Sequence, residues 1–184
     1  MFLSDLDIKK AMTAGDITIE GFDPSRLQLA SYDVLLGNTF ILTEAESSQA
    51  IDPVKGIYPK TRTVTVPDDG FFALHPGVSV LGTTFDFVGA RNGYLIQISG
   101  KSSLARIGLI VHNTAGIINP GHYLNITLEL ANLNNVPIIL RPKMEIAQLL
   151  FSNLSTPASS TYETIGRYGK GSKNMTGYVP KKTK

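Results

Sequence analysis

From residue 124 to 130 the chain alternates without a break: Leu124, Ile126, Leu128 and Leu130 are separated by Asn125, Thr127 and Glu129. A strict period of two puts the four aliphatic side chains on one face of a strand and Glu129 on the other. This run sits in a series of short β-rich pieces, near residues 17–19, 62–66, 71–74, 78–81, 94–98, 109–111, 136–140 and 146–151, with turn residues between them. Residues 30–36 and 39–42 read as a hairpin-like pair around Gly37-Asn38, and residues 43–60 as a loop. Many short strands punctuated every ten or so residues imply an all-β sandwich or barrel. One helix precedes them: Ser4 is a good N-cap, Asp5 and Asp7 suit a first turn, and Gly15 is a stop signal. No repeat or linker divides the chain, so residues 1–184 are expected to form one domain. Residues 155–177 are rich in Ser, Thr and Gly, and a loose C-terminal segment is expected there.

Composition narrows the chemistry. The chain has no cysteine, so neither a disulfide framework nor a thiolate metal site is available. No apolar run approaches the ~20 residues of a membrane span, and the N-terminus lacks a secretory pattern. A cytoplasmic protein that meets no membrane is expected. The net charge of +2 conceals an asymmetry: Arg167 and five lysines beyond it are six of the 17 basic residues, with no acid among them. The rest of the chain is mildly acidic, which suits a basic arm closing over a small anion better than a nucleic-acid groove.

The densest functional signal is Gly100-Lys101-Ser102-Ser103-Leu104-Ala105-Arg106. Two hydroxyls and two cations behind a glycine suit a phosphate chain, with backbone amides donating and arginine gripping two oxygens. It is not a P-loop, because no glycine stands five residues upstream of Gly100. Alone, the segment reads as well as a polar turn.

It does not stand alone. Leu3-Ser4-Asp5 and Asp7-Ile8-Lys9, Ala30 to Gly37, His75-Pro76-Gly77, Gly100 to Gly108, Val111 to Gly116, Asn125 to Leu130, and Ile146-Ala147-Gln148-Leu149 occur in the order found in the dCTP deaminase branch of the dUTPase-like superfamily. Together they cover roughly residues 3–151, and the chain resembles that family. The resemblance implies a distorted jelly-roll barrel, a homotrimer with active sites between subunits, and a C-terminal segment, 155–184, that closes over nucleotide. It implies deamination of dCTP to dUTP and ammonia, with dCTP and dUTP as ligands and dTTP as a candidate inhibitor. Mg²⁺ is expected on the triphosphate, with no protein metal site and no zinc. The zinc deaminases use His and Cys ligands, and with no cysteine that route is closed. A positioned carboxylate must instead take a proton from water and pass one to the leaving amine, an effect worth roughly 10²–10⁴-fold.

By resemblance Glu129 is that carboxylate. Ser102 and the backbone of Ala115 would hold the attacking water, and Arg106 would sit against Glu129 and Ser102. Lys101, Ser103, Asn119, Thr127, Gln148 and Tyr162 match nucleotide contacts. In the tail, Lys170 and Asn174 are the best counterparts of phosphate contacts, with Lys173 as an alternative. His112 is expected to be structural, while His75 and His122 have no assigned chemistry.

Three departures matter. Lys101 stands where the family usually has Arg, Asn119 where it has Asp, and Leu124 where it has Gly. In dUTPases the aspartate activates the water that cleaves the triphosphate. Ala115-Gly116 matches deaminases that also hydrolyse dUTP to dUMP and pyrophosphate, but an amide at 119 is a poor base. The reading favoured is therefore deamination to dUTP; the alternatives are a bifunctional enzyme that releases dUMP, and a catalytically idle nucleotide-binding regulator.

Overall fold

The structure is a computed structural model that describes residues 1–44 and 50–168. Helix α1 (Asp5–Thr13) begins where the sequence places it: Ser4 Oγ accepts the Asp7 N–H, and Gly15 follows with a left-handed φ of 73°. Ile8 and Ala11 turn its apolar stripe into the core.

The strands are β1 (Ile17–Ile19), β2 (Tyr32–Leu35), β3 (Thr39–Thr43), β4 (Thr61–Thr65), β5 (Phe72–Leu74) and β6 (Ser79–Ala90). After them come β7 (Tyr94–Gly100), a short helix α2 (Ser102–Ala105), β8 (Leu109–Ile110), β9 (Ile117–Ile118) and β10 (Leu124–Asn132). The series ends with β11 (Ile138–Leu140), β12 (Glu145–Asn153) and a last turn of helix, α3 (Tyr162–Ile165). One sheet runs β4-β3-β6-β10-β8 with β1 added on β6, a second runs β2-β12-β7-β9, and β11 pairs with β5. Every pairing is antiparallel. β6 packs against β2 and β7 of the second sheet. A single cluster fills the interior, with Val80, Leu128 and Leu130 from one sheet and Val34, Ile96, Leu149 and Phe151 from the other.

The all-β expectation holds, but two local readings need correction. β2 and β3 do not form a hairpin: β2 pairs with β12, whereas β3 pairs with β4 and β6. The chain changes sheets at Leu36-Gly37, where Leu36 N–H donates to Met144 O and Gly37 N–H donates to Thr83 O at 2.7 Å. A Cβ on Gly37 would lie 2.6 Å from Thr83 Oγ1, so glycine permits the crossing. β6 continues nine residues beyond Leu81, through Gly82, Thr84 and Asp86 to Ala90. Tertiary partners hold that extension. Asp86 is paired with Arg26 at 2.8 Å and accepts the Leu35 N–H at 2.7 Å, and Thr84 Oγ1 accepts the Ile126 N–H at 2.8 Å. Asn125 Nδ2 donates to Thr84 O and Phe85 O across the bulge that separates Asn125 from Thr127.

Candidate active site

The period-two reading of β10 is met. Ile126, Leu128 and Leu130 are buried, while Thr127 and Glu129 share the opposite, half-buried face. Glu129 Oε2 accepts a hydrogen bond from the backbone N–H of Asn113 at 3.1 Å. Through this bond the loop from Val111 to Gly116 meets the carboxylate. That loop is tied to β7: Gly116 O accepts the Ile98 N–H at 2.8 Å. Gly116 is buried, and a Cβ on it would stand 3.1 Å from both His112 Cε1 and Ile98 O. The His112 ring lies against Gly116, and its buried Nδ1 has no hydrogen-bond partner among the described residues. Ala115 is exposed at the loop's outer edge.

The Gly100–Arg106 segment leaves the other sheet. β7 ends at Gly100, and the carbonyl of Lys101 accepts the N–H groups of Leu104 and Ala105 at 3.0 and 2.9 Å, which starts α2. Ser102, Ser103 and Arg106 are exposed. Lys101 is not: its Nζ lies 2.6 Å from Asp33 Oδ2 and 2.6 Å from Glu145 Oε2, with the side chain 20% exposed. Burial alone lowers the pKa of this ammonium, but the two carboxylates outweigh it and hold the group above its ordinary value. The neighbouring Gln148, on β12, accepts from Ser31 Oγ and donates to Gly100 O.

Ser102 and Arg106 therefore follow one sheet and Glu129 belongs to the other, and among the described residues Arg106 makes no ion pair. The contact between Arg106 and Glu129 that the resemblance implies is not formed within one protomer. Asn119 is exposed at the start of a turn in which its carbonyl accepts the His122 N–H.

The C-terminal segment is pinned earlier than its composition suggests. Ala158 N–H donates to Asn92 O and Tyr162 N–H to Pro120 O, and the Tyr162 ring stacks on His122 with centroids 4.1 Å apart. Burial holds the His122 imidazole below its ordinary pKa, against a hydrogen bond to the Tyr168 backbone that acts the other way. Lys170, Lys173 and Asn174 lie outside the described residues. No group of three or more His, Asp or Glu among the described residues is arranged to hold a metal ion. A polar cleft of about 470 Å³ between Gly37, Thr63, Thr83, Phe85 and Lys143 contains none of the expected site residues.

Sequence reasoning missed three participants: Asp33 and Glu145, which take up Lys101, and the Asn113 amide that orients Glu129. The signal for Asp33 was present, an acid between Tyr32 and Val34 in a strand buried on both sides, where a charge requires a partner.

The dCTP deaminase-like family model matches residues 2–154. The chain belongs to this family. Among its dCTP deaminase-like relatives, a Tropheryma whipplei protein named "dCTP deaminase, dUMP-forming" is 44% identical over 162 residues, covering 88% of this chain and 83% of its own. A Nocardioides protein of the same name is 39% identical over 183 residues, covering 100% of this chain and 95% of its own. The fold is also similar to a crystal structure of 2′-deoxycytidine 5′-triphosphate deaminase from Agrobacterium tumefaciens, with a TM-score of 0.63 at 18% identity. That match covers 83% of this chain and 48% of the other. The all-β fold expected from the sequence is thus the one observed.

Proposed function

We propose that this protein deaminates dCTP and carries the product on to dUMP and pyrophosphate. The observation that carries the second half is the name "dUMP-forming" borne by relatives that share 44% and 39% identity with most or all of this chain. It reverses the preference drawn from Asn119 alone, and Ala115-Gly116 supports it.

In the first step Glu129 takes a proton from water, the resulting hydroxide adds to C4 of cytosine, and the proton passes to the exocyclic nitrogen, which leaves as ammonia. The Asn113 amide holds the carboxylate in place, and Ser102 with the Ala115 backbone orients the water. Since no ion pair joins Arg106 to Glu129 among the described residues of one protomer, the working site in this reading pairs Ser102 and Arg106 of one subunit with Glu129 of another in a homotrimer. Ser103 faces the phosphates, Thr127, Gln148 and Tyr162 contact the nucleoside, and Lys170, Lys173 and Asn174 supply the closing tail. Mg²⁺ enters on the triphosphate as part of the substrate. In the second step water attacks the α-phosphorus and pyrophosphate leaves. Asn119 can orient the sugar hydroxyl or that water but cannot take its proton.

That last point favours a second reading, in which dUTP accumulates. Purified protein with dCTP and Mg²⁺, analysed by anion-exchange chromatography, separates the two. Accumulating dUMP and pyrophosphate is the expected result; dUTP as end product establishes the second reading. Unchanged dCTP despite measurable binding makes the protein a nucleotide-sensing regulator.

A further inference from the structure

We infer that Asn92-Gly93 is a site of spontaneous covalent modification: the Asn92 amide is lost through a backbone succinimide, and the change unfastens the start of the C-terminal segment. The chemistry needs a backbone nitrogen that reaches the side-chain carbonyl carbon of the residue before it, and glycine hinders that approach least because it has no Cβ. Gly93 follows Asn92, while every other asparagine in the chain is followed by a residue with a side chain. The pair lies in the turn between β6 and β7, closed by the Tyr94 N–H donating to Arg91 O at 3.0 Å. Asn92 is exposed, and a Cβ on Gly93 would meet nothing within 4 Å. Among the described residues, neither the Gly93 N–H nor the Asn92 side-chain amide has a hydrogen-bond partner. Asp69-Gly70, which permits the same ring, is the contrasting case. There the Gly70 N–H donates to Pro67 O at 2.9 Å and a Cβ would stand 2.9 Å from Val66 Cγ1, so the nitrogen is occupied and its surroundings are packed.

The only co-reactant is water. Gly93 N gives its proton to solvent and bonds to Asn92 Cγ; the Cγ–Nδ2 bond breaks, and Nδ2 takes up a proton and leaves as ammonia. Water then opens the ring at either carbonyl, leaving aspartate or isoaspartate at 92. In isoaspartate the main chain runs through Cβ and Cγ and is longer by a methylene, and the former Asn92 carbonyl becomes a free carboxylate. The turn carries more than its own strands. Asn92 O accepts the Ala158 N–H and Gly93 O accepts the Leu154 N–H, each at 2.9 Å. These bonds hold the chain as it leaves β12 at Asn153 and runs towards Tyr162. Isoaspartate displaces the first acceptor and shifts the second relative to it, so Leu154 and Ala158 lose their partners.

The test holds full-length wild type and Gly93→Ala in mildly alkaline buffer and follows both by peptide mapping, isoaspartyl methyltransferase labelling and amide hydrogen exchange. Gly93 does not have a positive φ, so alanine fits there without strain. Wild type is expected to gain aspartate and isoaspartate at 92 ahead of every other asparagine, and Gly93→Ala to convert at least about tenfold more slowly. In the aged wild type the Leu154 and Ala158 amides are expected to lose exchange protection, which aged Gly93→Ala keeps. An Asn92 that survives in the folded protein while the urea-unfolded chain converts overturns the assignment, because the fold then shields the turn. Equal rates in wild type and Gly93→Ala refute attack by the Gly93 nitrogen. Full protection of Leu154 and Ala158 after conversion refutes the link to the C-terminal segment.

Discussion

Replacing Gly116 by Ala probes a connection that links the core of the second sheet to the proposed catalytic carboxylate. The added Cβ stands 3.1 Å from Ile98 O and 3.1 Å from His112 Cε1, whereas carbon contacts are most favourable near 3.5–4.0 Å. Ile98 cannot yield, because it is held in register opposite Leu149 and its N–H is bonded to Gly116 itself. His112 must yield, and among the described residues no hydrogen bond to its buried Nδ1 resists the movement. Overpacking of this kind costs about 1–3 kcal/mol, which for a chain of this size lowers Tm by roughly 3–9 °C. The displacement reaches Asn113, the next residue, whose N–H lies 3.1 Å from Glu129 Oε2. Losing a hydrogen bond to a charged group costs about 1.5–3 kcal/mol, so kcat for deamination falls by roughly 10- to 100-fold. Steady-state kinetics with dCTP and a thermal melt measure both, with Gly93→Ala as control, since a Cβ there meets nothing within 4 Å. A Gly116→Ala protein with wild-type Tm and kcat would show that the loop is not braced against β7, and the reasoning would fail.

Further outcomes follow from individual residues. Glu129→Gln keeps dCTP binding, measured by calorimetry, but loses deamination by roughly 10²–10⁴-fold; wild-type turnover would remove Glu129 from the acid/base role. Arg26→Met strands the buried Asp86 carboxylate, 1% exposed, and costs about 3–5 kcal/mol in urea unfolding; adding Asp86→Asn recovers part of that loss, and no recovery would contradict the pairing. Burial lowers the pKa of the His122 imidazole in the fold below its ordinary value of 6.5. The unfolded chain therefore binds the extra proton first, and this contribution to stability is complete above about pH 6.5 and is lost as the pH falls. Melting curves from pH 7.5 downward should show a steeper decline in wild type than in His122→Phe, and parallel curves would refute the buried neutral imidazole.

What the sequence determined by itself is local in origin. The alternation of Leu124 to Leu130 dictates which face of β10 is buried, because side chains on a strand can only alternate. For the same reason it places Glu129 on the open face. Ser4 and Gly15 bound α1 through capping chemistry within a few residues, and the ordered set of short motifs indicates the family. What the tertiary structure decided involves residues far apart in the chain. Gly37 looked like the centre of a hairpin, yet strand 79–90 offers Thr83 as its partner and sends β2 and β3 to different sheets. The strand expected to end at Leu81 runs on to Ala90, with Asp86 neutralised by Arg26. Lys101 was matched to a nucleotide contact, and it is the fold that brings Asp33 and Glu145, 68 and 44 residues away, to its ammonium. Burying the Asp33 carboxylate requires a cation at contact distance, and only the folded chain determines which one can reach it.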